Sequence, residues 1–204
     1  RPRSGQLRRK LPGDRSPRMI HETVVTTSSA AGDAHVAPMG IRYDGDRVVL
    51  MPFKPSRTYD NVLARGCAVV NFTVDTRIFA GCVSGRRRDW PCVPADEVSC
   101  VRLAESLGHL ELALSDHVDD ATRPVLRMRR VRERVHSGFG GFNRAQAAVI
   151  EGAVLVSRLH MLPRSKIESE FAYLQIAIDK TAGPVEREAW SWLQEAVAAH
   201  YAAP

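Results

Sequence analysis

From Met19 to His136 the apolar residues recur mainly at every second position; beyond Asn143 they recur every three or four. The chain therefore reads as strands first and helices afterwards. Thr23-Val24-Val25-Thr26-Thr27 is β-branched throughout. Gly40–Tyr43 and Arg47–Met51 flank Asp44-Gly45-Asp46, an Asp-Gly hairpin signature. Ser56 to Gly66 carries helical spacing at Tyr59, Val62 and Leu63 and ends on a glycine suited to a C-cap. Cys67–Val74 is a strand apolar enough to be central. Two longer alternating segments, 108–118 and 124–136, follow an irregular stretch around Arg86–Pro94. Leu110, Leu112 and Leu114 share one face of the first. Val125, Met128 and Val131 break step in the second, which predicts a bulge.

The period changes after Gly140-Gly141. Asn143 is placed to cap a helix running to about Met161 that is apolar nearly all round and so buried. Glu151 interrupts it, and an internal salt bridge with an arginine is its expected partner. Ala148 and Gly152, four apart, would let another helix approach closely. Pro163 opens a second helix with Ile167, Phe171, Leu174 and Ile178 on its core face. Gly183-Pro184 breaks it, and Trp190, Leu193, Val197 and Tyr201 mark a third. The expected fold class is α+β. It consists of an antiparallel barrel of about six strands over 19–137 and a three-helix unit over 138–204, with a basic extension at 1–18.

Charge narrows the functional classes. The 204-residue chain has a formal charge of +6, yet seven Lys/Arg and one Asp in residues 1–18 account for all of it. The body is electrically balanced, which argues against nucleic acid as a partner of the body. The segment Arg1–Arg18 has little to bury and is expected to be disordered; with Met19 directly after it, upstream translation explains it better than an RNA-binding arm. Cys67, Cys82, Cys92 and Cys100 form no CxxC pair and join no histidine at zinc spacing, so reduced structural thiols are expected and no metal. No run of 18 apolar residues and no signal-peptide core occur, which points to a cytoplasmic protein. Nucleotide-loop, HExxH and GxSxG motifs do not occur. Asp44/Asp46 and Glu168/Glu170 read as solvated charge.

The chemistry concentrates between His35 and Asp75. A strand ends at Met51-Pro52-Phe53, the loop Lys54-Pro55-Ser56-Arg57-Thr58 follows, and a helix starts at once. Two hydroxyls, a guanidinium and the free amides of a helix N-terminus meet there, a set of donors suited to a phosphate monoester. The same residues also suit a plain capped helix, with Ser56 or Thr58 as N-cap and Arg57 in solvent.

The order strand, Ser-Arg-Thr, helix, Gly, strand, carried by Leu50–Phe53, Ser56-Arg57-Thr58, Tyr59–Arg65 and Cys67–Thr73, resembles the FMN-binding split barrel of flavin reductases and pyridoxamine-phosphate oxidases. More closely, HVAPMG from His35, PFKPSRTYDNV from Pro52, VVNFTVD from Val69 and FNRAQAAVIEGAVLVSRL from Phe142 are similar to the domain-of-unknown-function 447 family. That family occurs in methanogenic archaea and in methylotrophs that use tetrahydromethanopterin. The resemblance implies FMN at a homodimer interface, with Ser56, Arg57 and Thr58 on its phosphate. His35, Ala37, Pro38, Met39 and Gly40 would border the isoalloxazine. Asn61 and Asn71 would bond the ribityl chain or ring edge; a helix-surface role and a strand-to-loop bond are their alternatives. Asn143 and Arg144 would reach the flavin or the partner subunit, or serve as a cap and an ion pair. The implied function is an FMN-dependent oxidoreductase, its substrate linked to tetrahydromethanopterin one-carbon metabolism or pterin cofactor synthesis. A non-catalytic FMN-binding or assembly protein is the alternative, since the fold also hosts flavin carriers.

Overall fold

Gly45, at φ 61°, supplies the left-handed residue that closes the hairpin joining β2 (Ala34–Asp44) to β3 (Arg47–Leu50). The computed structural model describes residues 19–202. The basic segment 1–18, with its expected disorder, lies outside the described residues. Strand β1 (His21–Ser28) pairs with β2 from His21 opposite Ile41 to Ser28 opposite Ala34. Its other edge meets β4 (Cys67–Phe72). The hairpin of β7 (Gly108–Val118) and β8 (Val125–Val135) then links β4 to β3, and the order β1-β2-β3-β8-β7-β4 closes an antiparallel barrel. The six barrel strands are the six that the alternation predicts. The expected bulge is present: Glu111 faces Arg132 and Leu112 faces Arg130, leaving Val131 without an opposite residue. A second shift, at Ser115, lies on the partner strand.

Strand β2 is longer than its pattern suggested, because it begins at Ala34 rather than Gly40. Pro38 is tolerated within it because β3 pairs only with Ile41–Asp44, so the other edge of 34–40 has no strand partner. That open edge is where the barrel splits.

Two cores lie back to back across the β1–β2 wall. Val25, Ile41, Leu50, Val70, Leu110, Leu112 and Met128 fill the barrel. Val24 and Val36 point outward into a second core shared with the helices. In helix α1 (Arg57–Arg65) Ser56, one of the two candidate N-caps, accepts a bond from the Tyr59 N–H, and Gly66, the predicted C-cap at φ 70°, donates to the Val62 carbonyl. Helix α2 (Arg77–Ser84) was not anticipated. Its N-cap Thr76 makes no side-chain cap bond, and buried Gly81 interrupts the helical pattern. That glycine is required, since a Cβ would stand 3.0 Å from the Arg87 carbonyl and 3.1 Å from the Trp90 ring. A two-stranded sheet of β5 (Cys92–Pro94) and β6 (Val101–Leu103) is likewise additional.

Helices α3 (Arg144–Val156), α4 (Arg164–Thr181) and α5 (Pro184–Ala202) form the expected C-terminal unit. Helix α3 ends at Val156 rather than near Met161, with turns completing the segment. Glu151 corrects a second expectation. It is exposed and joins no salt bridge among the described residues, because it shares a solvent stripe with Arg144 and Ala147. Of the four alanines of α3 only Ala147 faces water; Ala145, Ala148 and Ala153 are buried, so the exposed stripe is narrow. Gly152 packs against Trp190 and Leu193, as close helix approach requires. No helix among the described residues is long and apolar enough to cross a membrane. All four cysteines are free thiols, Cys67 and Cys100 buried together beneath β6 and the loop before it.

Candidate functional site

A groove of about 610 Å³ runs along the outer side of β2. One wall is β2 from His35 to Arg42, next to the open edge of that strand. The second wall is the segment Met51–Thr58 leading into α1. Phe79, Val83 and Arg88 from α2 and its exit loop, with Ile150, Ala153 and Val154 from α3 and Ser157 and Arg158 just past its end, make the third. Barrel and helical unit both build the groove.

The Met51–Thr58 wall is tied down from below. The Lys54 N–H donates to the Thr122 carbonyl at 2.9 Å, and the Lys54 ammonium pairs with Asp119. The Tyr59 hydroxyl donates to the same carboxylate at 2.9 Å. These bonds fix the loop before α1 to the β7–β8 turn and so set where Ser56, Arg57 and Thr58 stand. Asn61 donates to the Thr27 hydroxyl at 2.9 Å and Arg65 to the Ser29 carbonyl at 2.8 Å, which seat α1 on β1.

At this end the donor set is open. Among the described residues, the N–H groups of Arg57 and Thr58 and the Thr58 hydroxyl make no hydrogen bond, and Arg57 forms no salt bridge. These are the unsatisfied donors of a helix first turn, facing a cavity. His35 lies beside them. Burial, then the Arg57 and Arg88 guanidiniums, hold its imidazole below the ordinary histidine value. It is therefore neutral near pH 7, leaving a ring nitrogen able to accept a hydrogen bond. Along β2 the wall offers only compact surfaces at Ala37, Pro38 and Gly40. A Cβ at Gly40 would lie 2.5 Å from Ile20 Cγ2, so that half-exposed side chain would have to move.

Eight of the sequence-selected positions, His35, Ala37, Pro38, Met39, Gly40, Ser56, Arg57 and Thr58, line this one groove. Asn61, Asn71 and Asn143 do not. Asn71 is fully buried, and its amide donates to the Val24 carbonyl and the Thr26 hydroxyl, both at 3.1 Å, while its oxygen accepts from the Leu103 N–H at 2.8 Å. It laces β4 and β1 to β6. Asn143 caps α3 by accepting from the N–H groups of Ala145 (2.8 Å) and Gln146 (3.3 Å), and it donates to the Thr181 carbonyl. Asn143→Ala is expected to cost about 1 kcal/mol of stability, measured by urea denaturation, without altering ligand affinity in the groove. A loss of affinity in the folded variant would give Asn143 a ligand role instead.

Sequence reasoning missed the other cations of the groove, Arg42, Arg88, Arg123 and Arg158. They come from four separate elements, and no local spacing relates them. Alternation offered one weak signal, because it put Arg42 on the same side of β2 as Pro38 and Gly40.

The fold has solved relatives. An FMN-bound protein from Methanosarcina mazei superposes with a TM-score of 0.75 at 21% identity, covering 88% of this chain and 95% of that chain. The 2-nitrobenzoate 2-nitroreductase of Pseudomonas fluorescens gives 0.51 at 19% identity, covering 61% and 68% respectively. Flavoredoxin from Methanosarcina acetivorans gives 0.50 at 15%, covering 65% and 76%. The shared architecture is the flavin reductase-like split barrel. Residues 21–137 match the model described as "Protein of unknown function (DUF447) N-terminal domain", and residues 143–195 match the one described as "Protein of unknown function (DUF447)". The chain belongs to the DUF447 family.

Proposed function

We propose that this protein is a cytoplasmic FMN-binding oxidoreductase that works as a homodimer, with the flavin lying along β2. The supporting observation is the convergence, at one end of a single groove, of the open Arg57 and Thr58 amides, two hydroxyls and the unpaired Arg57 guanidinium. That donor set matches a phosphate monoester in charge and hydrogen-bonding capacity. Ser56, Arg57 and Thr58 would hold the phosphate. The narrow wall of Ala37, Pro38 and Gly40 suits a flat aromatic ring, and Met39 and His35 border it.

Bound FMN would supply hydride or single-electron transfer. The protein's part is to bind, orient and exclude water. Phe79, Val83, Ile150 and Ala153 form an apolar flank that would dry one side of the groove. Neutral His35 can accept or share a proton near the phosphate end. The FMN-bound relative from Methanosarcina mazei and the flavin-linked names of the other neighbours agree with this reading. So does the groove's openness on its remaining side, which a second copy of the chain would cover. Substrates of the pterin class fit the role that the family resemblance implies.

Arg57→Ala tests the site. Losing one charge-assisted bond should weaken FMN binding by about 1.5–3 kcal/mol, roughly ten- to a hundredfold in Kd, read by quenching of flavin fluorescence. An unchanged Kd in the folded variant removes Arg57 from the site. Reduction of the bound flavin by NAD(P)H or a dihydropterin, followed at its visible absorption band, tests catalysis; inertness towards both would count against an oxidoreductase.

A further inference from the structure

The groove carries more positive charge than one phosphate can balance. Five arginines line it, Arg42, Arg57, Arg88, Arg123 and Arg158, against a single carboxylate, Glu22. None of the five forms a salt bridge among the described residues; elsewhere some arginines do, as in the Arg127–Asp116, Arg132–Asp96 and Arg134–Asp96 pairs, and others, such as Arg47, Arg129 and Arg130, do not. A phosphate monoester brings about −1.5 to −2 at neutral pH. Two or more positive charges are left over.

The excess is not all at the phosphate end. Arg57 and Arg88 stand by His35. Arg42 lies seven residues further along β2, about 23 Å away at strand rise. Its guanidinium rests against Met51, Nη1 to Sδ 3.1 Å, and the Arg123 guanidinium lies 4.6 Å over the Phe53 ring. Both are thus set on the same short segment of the groove wall, with their donors free. Neither contact neutralises charge: a thioether is a weak acceptor, and a ring face holds the cation without using its N–H groups.

We infer that the Met51–Phe53 stretch of the groove, which carries Arg42 and Arg123 and leads on to the Ser56-Arg57-Thr58 end, binds the anionic group of a second ligand, a carboxylate or phosphate on the substrate or electron donor. This rests on the FMN reading for what occupies the rest of the groove. The ligand's body would then lie over the flavin ring that is placed against Pro38 and Gly40, so these two arginines select substrates by charge. Glu22, which faces Gly40 across the β1–β2 ladder, opposes that selection and keeps the site from holding any anion too tightly.

The test uses FMN-loaded protein titrated calorimetrically with two probes, inorganic pyrophosphate and glutarate, which separate phosphate from carboxylate recognition. One probe should bind, and Arg42→Gln or Arg123→Gln should weaken it at least about tenfold while the Kd for FMN changes less than twofold. Glu22→Gln should tighten the same probe severalfold. Binding that neither arginine variant weakens, binding that displaces FMN, or no binding of either probe overturns the inference. Fluorescence titration with FMN is run first. If FMN itself does not bind, the flavin reading fails separately. The probes are then titrated into the protein alone, where weakening by Arg42→Gln upholds the second anion site and its absence overturns it.

Discussion

Replacing Glu111 by leucine is expected to lower stability by about 3–5 kcal/mol, and Tm by roughly 10 °C or more, because it removes the acceptor for an entire loop. Glu111 is fully buried on β7. Its carboxylate receives the consecutive backbone N–H groups of Asp96 (2.7 Å), Glu97 (2.8 Å) and Val98 (2.9 Å). His109 Nε2 stands 3.1 Å from it, and His109 Nδ1 lies 2.9 Å from His136 Nε2. Without the carboxylate, three amides and a buried imidazole lose their partner, and each stranded donor costs about 1–3 kcal/mol. Glu111→Gln keeps one acceptor oxygen but turns an NH2 group towards donors, so it should fall between wild type and leucine. Urea denaturation of the three proteins measures this; a leucine variant within 1 kcal/mol of wild type would mean that the loop finds water instead.

The same carboxylate sets a pH dependence. Burial opposes its ionisation, but the three backbone N–H bonds and His109 outweigh that, and the group is held below the ordinary glutamate value of 4.5. A depressed folded-state value means that the unfolded chain binds the proton more readily. The contribution is therefore complete above the unfolded value, near pH 4.5, and is lost as pH falls through the lower folded value. The Asp96 carboxyl is also held low, by Arg134, and adds its own acid-side loss, so the stability difference between wild type and Glu111→Gln is what isolates Glu111. That difference should shrink as the solution is acidified below pH 4.5, and a difference that stays flat would contradict the assignment.

The second large effect is expected at Gly152, where α3 meets α5. A Cβ there would stand 2.7 Å from Trp190 Cζ3 and 3.1 Å from Leu193 Cδ1. The indole cannot easily retreat. Its Nε1–H donates to Gln175 Oε1 at 2.7 Å and its rings stack on Phe171 with centroids 4.9 Å apart. Gly152→Val should cost about 3 kcal/mol, seen as a lower urea midpoint at unchanged slope. Gly152→Ala meets the same Cβ overlap but adds no further methyls, and about 1 kcal/mol of helix propensity offsets part of it, so it should cost less than valine. Equal effects of alanine and valine would mean that the helices separate as a unit.

These two sites show what a sequence can and cannot tell. The 40–51 hairpin, both caps of α1, the Asn143 cap and the bulge at Val131 were all legible, since each depends on residues within a few positions of one another. Gly152 was legible as a point of close approach for the same reason. Glu111 was not. Alternation correctly placed Leu110 and Leu112 in the barrel and so assigned Glu111 to the polar side. Nothing local announces that residues 96–98 fold over that side and turn it into an interior. Helix α2 was hidden by its internal glycine, which only the Arg87–Trp90 segment explains. In the groove, Ser56, Arg57 and Thr58 were found as a contiguous motif, whereas Arg42, Arg88, Arg123 and Arg158 are assembled by tertiary structure alone.

The groove draws its lining from both matched segments, β2 and the Met51–Thr58 loop from one and the C-terminal half of α3 from the other. Ligand preference is thereby divisible. Substitutions over Ile150–Arg158, about two and a half helical turns, could thus remodel one flank while leaving β2, the Met51–Thr58 loop and the barrel register as they are. A lineage could reshape one flank of the groove by editing Ile150–Arg158 and leave the Ser56-Arg57-Thr58 end inherited intact.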